Sequence, residues 1–370
     1  MAVLFFLCGV AIVAYTLLGY PLLLLLWGRL WPRPIRRGHF QPSASIIIPV
    51  RNGEAWIVRK LQSVAALSYP SSLCEVIVVS DGSTDRTAEL VRQFPHVQFI
   101  ELPPGGKALA LNAGIARATG ELLFFTDVRQ ALHPDCLTNL SACFADPTVG
   151  VVSGELVLTR AEGQEQARIG LYVRYEEWLR KQISAVGSVP GATGAVYAMR
   201  RSLAVSLPAG ILLDDVYQPL AAYFQGYRVI LDGRAIAYDV AVPLKHEFRR
   251  KVRTLAGIYQ IIGHYPRLWN PAHDIWVHFL SHKVARLVLP YGFLLIAVSS
   301  FWLPDPYRLP ILTLQGLFYG LALLDFGLPD AFPLKRLTSL NRMFITLLAA
   351  SLAAASILFV PSRSLWAERR

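Results

Sequence analysis

The chain has 370 residues, 54 % hydrophobic and only 16 % charged, with a mean hydropathy of +0.41 and a formal net charge of +11. A soluble domain carries about 25 % charged residues, so this composition excludes a chain that is soluble throughout. The basic balance does not by itself mark a nucleic-acid binder, because Lys and Arg also gather at the cytoplasmic ends of membrane spans.

Residues 1–28 carry no charge. That is longer than the roughly 20 apolar residues that cross a bilayer as a helix. A cleaved leader is the alternative. It lacks support, because no basic segment precedes the apolar run and the run exceeds the ~7–15 residues of a leader core. An N-terminal transmembrane helix is therefore expected over 1–28. Residues 29–42 hold Arg29, Arg33, Arg36 and Arg37 among prolines and read as a basic juxtamembrane linker.

A domain is expected over 43–245. It opens with a β-branched run at 45–50 (SIIIPV), suited to a strand buried on both faces. Ile57, Leu61, Val64 and Leu67 then recur at helical spacing. A second strand is expected at 75–80 (EVIVVS), a helix at 87–94, a third strand at 97–102, a helix at 107–118 and a fourth strand at 121–126 (ELLFFT). Strands alternating with helices imply an α/β fold with a mostly parallel sheet. A further strand is expected at 195–199, and a helix starting at Asp214.

In such sheets ligands bind beyond the carboxyl ends of the strands. Pro49, Arg51, Asn52 and Glu54 surround the end of the first strand, Asp81 ends the second, and Asp127 follows the fourth. One such aspartate is ordinarily a helix cap; acidic groups from separate strands on one edge make a site. Gly105, Gly106 and Lys107 open a helix, where freed backbone amides favour an anion. The P-loop spacing GxxxxGK[ST] is absent.

Cys8 lies in the first apolar run, and Cys74, Cys136 and Cys143 show no CxxC spacing. They read as reduced thiols of a cytoplasmic chain. Residues 246–283 mix Arg with Tyr259, Tyr265, Trp269 and Trp276, the signature of amphipathic helices at a membrane surface. No HExxH pattern organises His264, His273, His278 and His282. Apolar runs at 287–303, 309–324 and 343–360 predict about three transmembrane helices within 284–362, followed by a tail at 363–370. The middle run is the weakest, being bracketed by Arg308 and Asp325. The basic residues beside these runs place the central domain in the cytoplasm, as an integral protein of a bacterial inner membrane.

The segments SIIIPVRNGE, VIVVSDGSTD, GGKALALNAG, FFTDVRQ, PGATGAVYAMRR and LLDDVYQPL, in that order, closely resemble the family 2 inverting glycosyltransferases. The resemblance covers about residues 43–253 and implies a GT-A nucleotide-sugar-binding domain. It also implies transmembrane flanks of the branch that makes cell-surface polysaccharide or glycolipid. The family pattern gives Pro49, Arg51, Asn52, Glu54, Asp81, Lys107 and Asp127 to the nucleotide sugar, expected to be UDP-linked. Asp127 matches the first aspartate of the family's DxD metal motif, implying Mg²⁺ or Mn²⁺; apart from the resemblance, His246 is expected as a further ligand. The third position is Arg129, a cation that would repel a metal or hold phosphate directly.

Asp215 matches the family's catalytic base and Asp214 its acidic neighbour. The acceptor hydroxyl must lose a proton as it attacks, and a neighbouring carboxylate raises the pKa of the pair towards that task. Residues 247–251 (EFRRK) stand where the family has Q-x-x-R-W. Arg250 matches the arginine, expected to clamp the diphosphate. Lys251 replaces the tryptophan, which weakens the case for a processive synthase that extrudes its polymer. The expected partners are a nucleotide-sugar donor, a lipid-linked saccharide or polysaccharide acceptor and the bilayer, with no nucleic acid. Two rivals fare worse. A transporter predicts polar residues inside the spans, and a dinucleotide oxidoreductase needs GxGxxG after the first strand, where the chain reads VRNG.

Overall fold

The computed structural model describes residues 1–159, 171–240, 244–329 and 332–359. It divides into two compact units, one made of Met1–Trp27 with Val242–Arg370, the other of Gly28–Ala241.

The second unit is built on an eight-stranded sheet. In chain order its strands are β1 (Ala44–Val50), β2 (Cys74–Asp81), β3 (Val97–Leu102), β4 (Leu122–Phe125), β5 (Ala131–Leu132), β6 (Val149–Thr159), β7 (Tyr197–Arg200) and β8 (Arg228–Val240). Their order across the sheet is β3-β2-β1-β4-β7-β6-β8-β5. The first four are parallel. β7 runs antiparallel to β4 and β6, β8 parallel to β6, and β5 antiparallel to β8.

Burial explains the parallel half. Ile46, Ile47, Ile48, Ile77, Val78 and Val79 are all at most 1 % exposed, so successive residues pointing to opposite faces are both covered. Helix Lys107–Arg117 packs over β1 and β2. Helix Ile57–Ala65 turns Ile57, Leu61 and Val64 inward. The result places Val50, Asp81 and Phe125, the last residues of β1, β2 and β4, along one edge of the sheet.

The opposite edge is fastened by Glu75. Its Oε1 accepts hydrogen bonds from Ser45 Oγ, Thr119 N and Thr119 Oγ1 at 2.5, 2.6 and 2.8 Å, and its Oε2 accepts one from Gln98 Nε2 at 3.0 Å. Burial acts to raise the Glu75 pKa, but these donors outweigh it and hold the carboxyl down at about 2. A depressed folded-state pKa stabilises above the unfolded value of about 4.3 and loses that contribution as pH falls through the folded value. Glu75→Gln is therefore expected to cost about 1–3 kcal/mol at pH 7. The gap between variant and wild type should close between about pH 4.3 and pH 2, as read by denaturation in detergent at each pH. A gap that does not change over that window would show that the ionised form plays no part.

The sequence pattern gives four parallel strands and a fifth at 195–199; the fifth runs Tyr197–Arg200. The sheet's other strands escape it for a physical reason. β6 and β8 carry register shifts at Val149/Val151 and Ser153/Glu155, and Asp232, Gly233 and Arg234 break the apolar run of β8. The helix expected over 87–94 is a single short piece, Thr87–Val91.

In the first unit, helix Leu244–His264 precedes Ile275–Trp302 and Leu337–Leu358. With Ala2–Leu30, these last two are, among the described residues, the helices long and apolar enough to cross a membrane. Arg308–Leu324 is apolar but has only 17 residues, consistent with the weak middle run. The span-length helix begins at Ile275, before the boundary at 284 that hydropathy suggests, and draws in His278 and His282. Tyr20 and His278 Nδ1 lie 3.0 Å apart, and Tyr15 and Ser281 hydroxyls 2.6 Å. Asp325, 0 % exposed, accepts from Thr338 Oγ1 at 2.7 Å and pairs with Arg342 at 2.8 Å and Lys335 at 3.5 Å. The acid is thus compensated where hydrocarbon would otherwise penalise it.

Candidate active site

Two loops at the carboxyl edge lock together first. Asn52 adopts a left-handed conformation with φ 50°, which Asn tolerates better than most residues. Its Oδ1 accepts the Thr84 amide at 2.9 Å, and its own amide donates to Ser83 Oγ at 3.1 Å. Glu54 Oε2 accepts the Arg86 amide at 3.1 Å, while the Glu54 amide donates to Asp85 Oδ2 at 3.0 Å. Asn52 and Glu54 thus join the β1 loop to the loop after β2. Pro49 is half-buried within β1, and Arg51 is exposed with Nη1 3.8 Å from Asp81 Oδ2.

Asp81 is 5 % exposed. Its Oδ1 accepts the amides of Gly105 and Gly106 at 2.6 and 2.8 Å. Gly106 has φ +96°, a conformation open to glycine and strained for other residues. The sequence suggests that these two amides face an anion; instead they hold Asp81, and Asp81 fixes the turn that delivers Lys107.

Lys107 is the centre of the cluster. Its Nζ lies 2.9 Å from Asp127 Oδ1 and 3.1 Å from Asp214 Oδ1. Burial pulls its pKa down, but the carboxylates of Asp127, Asp214 and Asp215 outweigh burial and hold it above the ordinary lysine value. The ammonium is therefore a fixed positive charge. Asp214 and Asp215 open helix Asp214–Phe224, where acidic residues suit the helix dipole. The N-cap is Leu213, without a side-chain cap bond. Asp215 Oδ2 accepts the Gly194 amide at 3.0 Å, and its carbonyl accepts the Ala192 amide at 2.7 Å.

A Cβ at position 194 would lie 3.2 Å from Asp215 Oδ2 and 3.7 Å from Asp127 Oδ2. The two carboxylates thus face one small space that the glycine keeps open. Tyr197, 0 % exposed, stacks on Phe125 at 4.7 Å between centroids. Among the described residues its hydroxyl has no hydrogen-bond partner. Burial, and then Asp214, Asp215 and Asp127, push its pKa well up, so it remains a donor.

Hard oxygen donors around such a space suit Mg²⁺ or Mn²⁺. Arg129 does not oppose a cation there, because its guanidinium is paired with Asp239, a 4 %-exposed residue of β8 that also accepts Gln130 Nε2 at 2.9 Å. Among the described residues no group of three or more His, Cys, Asp or Glu is placed to hold a metal ion.

Of the residues the sequence singles out, Asp81, Lys107, Asp127, Asp214 and Asp215 are joined through these contacts, with Arg51 beside Asp81. Arg250 and His246 lie on helix Leu244–His264 of the other unit. The His246 side chain is outside the described residues. Gly194 falls in the segment PGATG, where the resemblance implies a glycine that lets a sugar approach closely; sequence reading misses Tyr197, Asp239 and Lys60. Only Lys60 leaves a trace: it falls between Ile57 and Leu61 on the apolar face of its helix.

The model for "Glycosyl transferase family 2" matches residues 45–205. "Probable glycosyltransferase YdaM" of Bacillus subtilis is 27 % identical over 215 residues, 54 % of this chain and 50 % of that protein. "Beta-monoglucosyldiacylglycerol synthase" of Synechocystis sp. is 31 % identical over 141 residues, 34 % of this chain and 29 % of that protein. The chain thus spans half or less of these two relatives' length. The solved structure "Mannosyltransferase PcManGT from Pyrobaculum calidifontis in complex with GDP-Man and Mn2+" superposes with a TM-score of 0.74 at 24 % identity, over 96 % of this chain and 99 % of that one.

Proposed function

We propose that this chain, whose residues 45–205 match the model for glycosyl transferase family 2 and whose fold superposes on a solved mannosyltransferase, is a glycosyltransferase that moves a sugar from a UDP-linked donor to a membrane-borne acceptor with inversion. The observation that carries this reading is Lys107 set between Asp127 and Asp214, with Asp215 anchored on the Gly194 amide.

Asp215 takes the proton from the acceptor hydroxyl as that oxygen attacks the anomeric carbon. The Gly194 amide fixes the carboxylate so that it need not reorient during the step. The bond to the diphosphate breaks on the opposite face, and the departing charge is met by the Lys107 ammonium. Asp127 would hold a divalent cation that neutralises the diphosphate. Asp214 keeps Lys107 in place, and Asp81 and Arg51 frame the nucleoside side.

The acceptor is a lipid-linked saccharide or polysaccharide. Three span-length helices support a membrane setting, and one relative is named for a glucosylated diacylglycerol. Arg29, Arg33, Arg36 and Arg37 beside the first span favour a bacterial inner membrane with the catalytic unit in the cytoplasm.

A labelled donor tests both the cation and the mode of transfer. Excess EDTA is expected to stop transfer and added Mg²⁺ or Mn²⁺ to restore it; undiminished transfer in EDTA removes the cation from the scheme. A single added sugar is expected on the acceptor. A ladder of lengthening products would instead mark a processive synthase.

A further inference from the structure

Helix Ile57–Ala65 buries a lysine that the reaction scheme does not use. Lys60 is 1 % exposed, yet it sits on the face that carries Ile57, Leu61 and Val64 into the core. A buried ammonium is costly unless it is bonded, and here the bonds are specific. Lys60 Nζ donates to Thr126 Oγ1 at 2.5 Å and to the Gln130 carbonyl at 2.7 Å. These two acceptors bracket Asp127 in the chain. The Thr126 hydroxyl in turn donates to the Ala195 carbonyl at 2.7 Å, next to the glycine whose amide holds Asp215. One chain of hydrogen bonds therefore runs from the helix after β1, through the end of β4, to the segment before β7.

We propose that Lys60 is a positioning residue of the transfer site, tying the Asp127 segment to the Gly194 segment through Thr126. It touches neither donor nor acceptor; it sets the spacing of the two carboxylates that face each other across Gly194. The proposal rests on the assignment of Asp127 and Asp215 made above.

The charge around Lys60 fits this role. Burial pulls its pKa down to about 7, with Asp127 opposing the fall. The Cys136 thiol also faces it, but burial pushes that group up to about 12, so the thiol is neutral at working pH. Beyond Gln130, Arg129 and Asp239 neutralise each other. Asp127, which Lys107 pairs with directly, is then the charged group that holds the Lys60 ammonium against that fall. As pH rises past about 7, Lys60 loses its proton, and charge-assisted bonds become ordinary ones.

Thr126→Val removes the hydroxyl without changing the shape, and Thr126→Ser keeps it. In Thr126→Val, exchange of the Gly194 amide is expected to quicken about 10-fold or more while the β1 and β2 amides stay protected. Transfer at saturating donor should fall about 10–100-fold, and Thr126→Ser should stay within about 3-fold of wild type. The wild-type rate should decline as pH passes about 7, and that inflection should be missing in Lys60→Met. Equal exchange and equal rates in the Val and Ser variants overturn the proposal, whether or not Lys60→Met folds. An unchanged pH profile in Lys60→Met overturns it as well. Val-specific exchange in a protein that transfers no sugar supports the positioning role and counts against the transfer reading instead.

Discussion

Asp215→Asn is expected to lower kcat by about 10²–10⁴-fold, the range a positioned base contributes, while nucleotide affinity stays within about 3-fold. The substitution is nearly isosteric, and the amide oxygen can still accept the Gly194 N–H that Asp215 Oδ2 accepts at 3.0 Å. What is lost is proton affinity, not geometry. The expected pattern is thus a fall in kcat with little change in donor binding, measured by single-turnover transfer and by nucleotide titration. Turnover near the wild-type rate would move the base elsewhere. A parallel collapse of binding would mean that Asp215 holds the donor instead.

Lys107→Met is expected to reduce kcat/KM by about 10²–10³-fold, the scale of losing one preorganised charge partner for the transition state. Lys107 Nζ lies 2.9 Å from Asp127 Oδ1 and 3.1 Å from Asp214 Oδ1. Without it, Asp127, Asp214 and Asp215 lose the ammonium that Lys107 sets among them. Like charges disfavour ionisation of each carboxyl, so the acid limb of the pH–rate profile should move to higher pH. Loss of the leaving-group partner predicts the lower rate, and repulsion predicts the shifted limb. A variant with the wild-type limb would show that Lys107 does not act on these carboxylates.

How much of this was legible in the sequence follows from the physics of each element. The parallel half of the sheet is written as continuous β-branched runs at β1 and β2, because strands covered on both faces admit little else. Asp81, Asp127 and Asp214–Asp215 stand out because each sits where a strand ends or a helix begins. The mixed half, β6 to β8, is interrupted by glycines, charges and register shifts, and its periodicity is lost.

The pairing of Arg129 with Asp239 joins residues 110 positions apart. Motif reading therefore leaves Arg129 as a cation facing a metal or phosphate, where the fold gives it a partner on β8. Gly194 reads as a turn glycine that lets a sugar approach closely, and the fold adds that it leaves space between two carboxylates. Lys60 shows in the helical pattern as a charge on an apolar face, but nothing local says that its acceptors lie at Thr126 and Gln130.

The central claim is transfer from a nucleotide sugar at the site of Lys107, Asp127 and Asp215. Its most direct test is release of nucleoside diphosphate from a panel of nucleotide sugars by purified protein in detergent, with membrane lipid extract as acceptor. The expected result is consumption of one donor class by the wild type, a product of inverted anomeric configuration, and almost no release by Asp215→Asn. Consumption of no donor, or equal release by Asp215→Asn, would contradict the account.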